Sequence, residues 1–247
     1  MAVFQFTFKR YERKYLITEE QYSLLLKNLE GRMVEDKYAR SLINNIYYDT
    51  PDFLLIRRSI EKPVYKEKLR VRSYGVPGEN DKVFVEIKKK YKKVVYKRRI
   101  HVPLAKANAF LAGQEPCPQP GQIGNEIAYF LSYYKGIAPA MFISYERYSL
   151  ASPTDSVLRI TFDRNIIWRL HDLDLTKGVY GTPLQLDGKV LMEVKIPDAA
   201  PMWLSALFDD LGIMPTSFSK YGRAYGKALT DGEIRPEQAA ALLLLKN

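Results

Sequence analysis

Polar and apolar residues alternate along much of this chain. Arg10, Glu12 and Lys14 share one parity, and Tyr11, Arg13 and Tyr15 share the other. Successive side chains of a strand point to opposite faces, so this alternation predicts a strand over residues 3–17. The same rule predicts strands over 41–50, 62–75, 140–152, 156–170 and 189–197. Residues 82–103 read as two strands joined by a short basic turn. Helical patterning predicts a helix over 18–31. Thr18 is its cap, Gln21 three positions on completes a capping box, and Gly31 ends it. Further helical segments are expected over 52–60, 104–113, 125–136 and 202–212. The stretch 217–229 is ambiguous between loop and helix. Residues 115–124 form a Pro/Gly-rich connector rather than a clear domain boundary. Residues 1–230 are expected to form one domain, with 231–247 as a helical tail that packs or dimerises, membrane association of the tail being the alternative.

The parity rule also collects cations. Lys66, Lys68, Arg70 and Arg72 share a face, opposite Leu69 and Val71. Glu86, Lys88 and Lys90 oppose Val83, Val85 and Ile87, and Lys97 and Arg99 follow on the return strand. Tyr145 and Arg147 share a face, as do Arg159, Thr161 and Asp163, and Glu193 and Lys195 alternate with apolar residues. Two architectures fit this pattern: a sheet whose charged face meets water, or a closed sheet with its polar face inward. In the second, facing cations repel unless an anion neutralises them, and a phosphate chain is well suited to that task.

Composition agrees with an anionic partner. The 247 residues carry 38 Lys plus Arg against 28 Asp plus Glu, a net charge of +10. With 18 Tyr and 11 Phe, the chain is rich in residues that favour half-buried strands. Its single cysteine, Cys117, excludes an internal disulfide and a thiolate metal cage. His101 and His171 form no zinc motif. No Walker loop occurs. The basic run over 88–99 lacks a groove-binding helix, so nucleic acid is not the expected partner. Glu12 and Glu193 are the best candidate ligands for Mg²⁺ or Mn²⁺, which accept carboxylates together with substrate oxygens. Asp163 and Glu86 are weaker candidates, and each carboxylate could simply balance its basic neighbours.

The ordered blocks FKRYERKYLI, NIYYDT, KLRVRSYG, VFVEIKKKY, VVYKRR, SYERYSL, RITFD, LMEVKI and SFSKYGRAYG carry a family likeness. The chain resembles the VTC domain, the polyphosphate-polymerase branch of the triphosphate tunnel metalloenzymes. The resemblance implies a mainly β fold with accessory helices, built as a closed antiparallel eight-stranded β-tunnel. By position, it implies Lys14, Arg70, Arg72, Lys88, Lys97, Arg147 and Lys220 as the catalytic cations. Arg10, Tyr145, Arg159 and Ser219 would contact phosphate, and Glu193, with Glu12, would hold Mn²⁺ or Mg²⁺. Lys220 is singled out by the resemblance alone.

The wider superfamily often opens with Glu, Glu, Lys, where this chain has Arg10, Glu12 and Lys14. That departure tilts against cyclase or thiamine triphosphatase activity. The expectation is γ-phosphate transfer from ATP to inorganic polyphosphate with release of ADP. Hydrolysis of tripolyphosphate or a nucleoside triphosphate is an alternative, as is a noncatalytic polyphosphate or inositol-polyphosphate binding module. A cytoplasmic location is expected, with the inner face of a membrane and a membrane-protein partner as a further option.

Overall fold

The structure, a computed structural model, describes residues 11–235 apart from residues 93 and 198. Arg10, the start of the first predicted strand and residues 236–247 of the predicted tail therefore lie outside the described residues. No described helix is long and apolar enough to cross a membrane. The chain divides into two compact units.

One unit comprises residues up to 41, 146–164 and 185–218. It contains β1 (Tyr11–Ile17), α1 (Glu19–Leu29) and the first part of β2 (Val34–Asp49). The other unit comprises residues 42–145, 165–184 and 219 onward. It contains the rest of β2, α2 (Leu54–Ile60), β3 (Tyr65–Tyr74), β4 (Lys82–Tyr91) and β5 (Val94–Pro103). There α3 (Leu104–Leu111) and α4 (Gln122–Tyr133) follow. Parts of β6 (Ala138–Ala151) and β7 (Arg159–Arg169) belong to each unit. A 3₁₀ turn (Leu175–Lys177) and β8 (Thr182–Pro183) complete the central stretch of the second unit. The first unit then takes β9 (Val190–Ile196), α5 (Met202–Asp210) and β10 (Pro215–Thr216), and the second takes α6 (Lys220–Thr230).

In the first unit, Tyr15 and Ile17 of β1, Ile160 and Phe162 of β7, and Val190, Met192 and Val194 of β9 pack with Leu25 and Leu29 of α1 and Leu204 of α5. Each such buried side chain contributes roughly 1.5–3 kcal/mol. The opposite parity carries Glu12, Lys14, Thr161, Asp163, Glu193 and Lys195. Helix α1 starts on the predicted capping box: Gln21 N donates to Thr18 Oγ1 at 3.1 Å and Thr18 N donates to Gln21 Oε1 at 2.9 Å. Gly31 follows the helix at φ 75°, a left-handed conformation that glycine adopts without Cβ strain.

In the second unit, Leu69, Val71, Val83, Val85, Ile87, Ile100 and Val102 of β3–β5 form one apolar face under Ala107 and Phe110 of α3 and Ile127 and Phe130 of α4. Lys66, Lys68, Arg70, Arg72, Lys88, Lys90, Lys97 and Arg99 take the other parity, whereas Lys89 and Arg98 lie on the helix side and pair with Glu126 of α4. Asp49, at the end of β2, accepts from Leu55 N at 2.8 Å and Ile56 N at 3.0 Å, and from Tyr221 Oη of α6 at 2.8 Å. Tyr47 stacks on Tyr221 with centroids 4.6 Å apart. Together these contacts place α6, the segment the sequence pattern left ambiguous.

The expectation of a closed eight-stranded tunnel is corrected. The sheet has ten strands in the order β10-β1-β9-β7-β6-β2-β3-β4-β5, with β8 on β7, and it is not closed into a barrel. Two strands were invisible to the period-2 pattern because each is only two residues long. The end strand β10 is only two residues long, and its Pro215 has no N–H to offer a further strand.

Candidate anion-binding site

The antiparallel register of the second unit stacks the cations into rows. One row reads Arg70–Glu86–Arg99 across β3, β4 and β5, and the next reads Lys68–Lys88–Lys97. Glu86 is buried at 1% exposure and is the hub of this face. Arg70 Nε donates to its Oε2 at 2.8 Å, and Arg70 Nη2 lies 2.7 Å from the same oxygen. Lys97 Nζ lies 2.6 Å from Oε1, close enough for an ion pair but without hydrogen-bond alignment. Arg72 Nε stands 3.8 Å and Arg99 Nη1 4.0 Å from the carboxylate. Burial alone would raise the Glu86 pKa, but Arg70, Arg72 and Lys97 outweigh it and hold the carboxyl well below the usual range. Four cations thus share one carboxylate, and the surplus is positive.

Neighbouring polar groups orient these cations. Arg70 Nη1 donates to Tyr47 Oη at 3.1 Å. Arg72 Nε donates to Asn45 Oδ1 at 2.9 Å and its Nη2 to Tyr145 Oη at 3.1 Å. Lys220, buried at the start of α6, sets Nζ 4.3 Å from the Tyr145 ring centroid. Ser219 caps α6, its Oγ accepting from Gly222 N at 3.1 Å and from Lys68 Nζ at 3.2 Å. A Cβ on Gly222 would meet the Ser219 side chain at 3.3 Å, so the glycine leaves room for that cap. Arg70, Arg72, Lys88, Lys97, Tyr145, Ser219 and Lys220 therefore belong to one unit.

Lys14, Arg147, Arg159, Glu193 and Glu12 belong to the other unit. In register, Lys14 faces Glu193, which faces Thr161, while Glu12 faces Lys195, which faces Arg159. Lys14 Nζ lies 3.2 Å from Glu193 Oε1 and 3.9 Å from Glu12 Oε1. Arg147 grips Asp163 with both ends of its fork, Nε to Oδ1 at 2.6 Å and Nη2 to Oδ2 at 2.7 Å, and also reaches Glu193 Oε2 at 3.0 Å. Arg159 instead pairs with Asp36 at 3.1 Å, and its side chain is half-exposed. Lys195 is pushed down first by burial, then by Arg147 and Arg159, with Glu12 and Glu193 opposing.

Among the described residues, no group of three or more His, Cys, Asp or Glu is placed to hold a metal ion. The carboxylates here face cations rather than one another. Sequence reasoning did not pick out Asn45 or Tyr47, nor the hub role of Glu86. Asn45, Tyr47 and Asp49 share a parity on β2, a polar stripe that could have flagged them. A groove lined by Lys89, Gln122, Asn125, Glu126 and Tyr129 involves the apolar parity of β4, away from the cation rows.

A family model described as the VTC domain matches residues 9–229. No curated protein matches the chain. Among solved structures, a candidate adenylate cyclase from Bacillus halodurans is similar with a TM-score of 0.53 at 14% identity, over 85% of this chain and 95% of that one. A candidate adenylyl cyclase from Hippeastrum, described as having a dominant triphosphatase activity, gives 0.50 at 14% identity, over 91% of this chain and 97% of that one. At such identity the likeness is one of fold.

Proposed function

Since this chain belongs to the VTC-domain family and has the fold of the triphosphate tunnel metalloenzyme superfamily, we propose that it transfers the γ-phosphate of ATP to a polyphosphate chain and releases ADP. The coarser chemistry of the superfamily is phosphoryl transfer or triphosphatase action on nucleoside triphosphates or polyphosphate. The observation that carries the proposal is the Glu86 hub, where Arg70, Arg72, Lys97 and Arg99 lie within 4.0 Å of a single buried carboxylate. A phosphate chain entering this face gains charged hydrogen bonds from two-pronged guanidinium groups while Glu86 keeps them in place.

In the reaction, the bond from the γ-phosphorus to the β,γ-bridging oxygen breaks. A bond from the γ-phosphorus to a terminal oxygen of the polyphosphate chain forms, and ADP leaves with the bridging oxygen. The attacking oxygen is already anionic, so no strong protein base is required. Catalysis then rests on in-line positioning and on fixed cations that stabilise the charge spread over the transferring group. Arg70, Arg72, Lys97, Lys88 and Lys220 bind the phosphates in one unit. The other unit carries its own proposed group of anion-binding cations, Lys14 and Arg147, with Asp163 orienting Arg147. Glu193 and Glu12 would supply the one or two carboxylates that Mg²⁺ commonly uses, and a divalent cation held there would contribute neutralisation of phosphate charge.

The test is to incubate the protein with ATP and Mn²⁺ and follow ADP and phosphate-chain length, beside Glu193→Gln. ADP with lengthening chains, lost in the variant, supports the polymerase. Free phosphate without chains replaces that reading with a triphosphate hydrolase. Tripolyphosphate binding without turnover replaces it with a binding module.

A further inference from the structure

The row after Arg70–Glu86–Arg99 reads Arg72–Phe84–His101 in the register of β3, β4 and β5. Phe84 has the parity of Glu86, so it points away from the apolar core of Val83, Val85 and Ile87. Tyr74 continues the parity of Arg70 and Arg72 on β3 and is 51% exposed. Its ring meets Phe84 edge-on with centroids 5.9 Å apart, and His101 lies 6.4 Å from Phe84 on the other side. The Arg99 guanidinium lies 4.5 Å from the Phe84 centroid while also standing 4.0 Å from Glu86. Arg99 thus bridges a partly exposed aromatic row and the cation row beside it.

We propose that Tyr74 and Phe84, flanked by His101, form a platform for the base of a nucleoside triphosphate whose phosphates lie on Arg70, Arg72 and Lys97. The platform rests on the phosphate reading above and adds a nucleoside subsite to it. Same-face neighbours on a strand are about 7 Å apart, so the aromatic and cation rows are separated by a distance that a ribose can bridge. The rings are not needed for the core, which is built on the opposite parity. An aromatic face accepts any base by stacking, and an arginine can leave such a face for a phosphate. A bound base takes the place of Arg99 over Phe84, and Arg99 turns to the phosphate chain.

The experiment compares ATP and inorganic tripolyphosphate by titration calorimetry on the full chain, on Phe84→Leu and on Tyr74→Ser. Leucine keeps apolar bulk at Phe84, and Tyr74 is exposed, so thermal melts check that both variants fold. The expected result is an ATP affinity lower by about five- to one-hundred-fold, with tripolyphosphate affinity changed less than about twofold. Equal losses for both ligands, or no loss for either, would overturn the platform. Wild-type protein that binds ATP in a Phe84-dependent way but ignores tripolyphosphate would overturn the phosphate reading and leave the platform standing. Failure to bind either ligand would overturn both.

Discussion

Lys97 Nζ lies 2.6 Å from Glu86 Oε1, yet Lys97 is held down at about 8 by burial, with Arg70 and Arg72 adding to the effect and Glu86 opposing it. The cation at the phosphate face is therefore poised to discharge near neutral pH. Below about 8 the ammonium is charged and adds to anion binding, and above that value the charge is lost. Tripolyphosphate affinity should fall as pH rises through about 8. Lys97→Arg stays charged and should flatten that part of the profile; a profile unchanged by the substitution counts against the assignment.

Fold stability should move the other way in the same window. Between about 8 and the ordinary lysine value of 10.5, the folded chain binds fewer protons at Lys97 than the unfolded chain does. Raising the pH across that window therefore favours the folded state. Lys66 and Lys195, also lowered first by burial, act in the same direction. Urea titrations at pH 8 and pH 9.5 check the sign.

Arg70→Ala strips the buried Glu86 carboxylate of its closest guanidinium. Stability should drop by on the order of 3 kcal/mol, because a buried charge has lost a partner. Adding Glu86→Gln removes that charge and should recover most of the loss without restoring phosphate affinity. Denaturation and tripolyphosphate titrations on the single and double variants separate the two effects.

Asp163→Asn weakens the grip that orients Arg147 through contacts of 2.6 and 2.7 Å. Turnover should fall while Arg147 itself is retained, and Lys14→Ala and Arg147→Ala should lose turnover. Arg147→Ala also strips the buried Asp163 of its partner and should lower stability, so thermal melts check that each variant is folded in the assay. Full activity in both alanine variants would remove the first unit from the proposed chemistry.

Glu193→Gln should raise the Mn²⁺ concentration needed for half-maximal turnover by more than about tenfold, as expected when a metal-binding group is lost. A titration of turnover against Mn²⁺ reads this directly. An unchanged midpoint would assign Glu193 to holding Lys14 and Arg147 instead.

Thr18→Ala removes one half of the capping box at α1 and should cost about 1 kcal/mol with phosphate binding intact. Thermal melts beside a binding titration check it.

Much of the architecture was legible because period-2 alternation is a local property. The strands around Lys14, Arg70, Glu86, Arg147 and Glu193 all appear where the pattern puts them. Helix α1 was readable down to its cap, since Thr18 and Gln21 are three residues apart and satisfy one another. Helix α6 was not, because Gly222 and Gly226 weaken helical propensity. It is held by Ser219 at its start and by the packing of Tyr221 on Tyr47, a contact between distant parts of the chain.

The sequence by itself determined which side chains share a face, and hence that cations gather on one side of β3, β4 and β5. It also determined that apolar residues of the opposite parity need helices above them. Only the tertiary structure decided which of those cations meet. Strand register sets Arg70 beside Glu86 and Lys14 beside Glu193, and register depends on pairing between segments far apart in the chain. The open ten-stranded sheet was likewise a tertiary outcome. Strands of two residues have no period to read, and strand pairing is set between segments far apart in the chain.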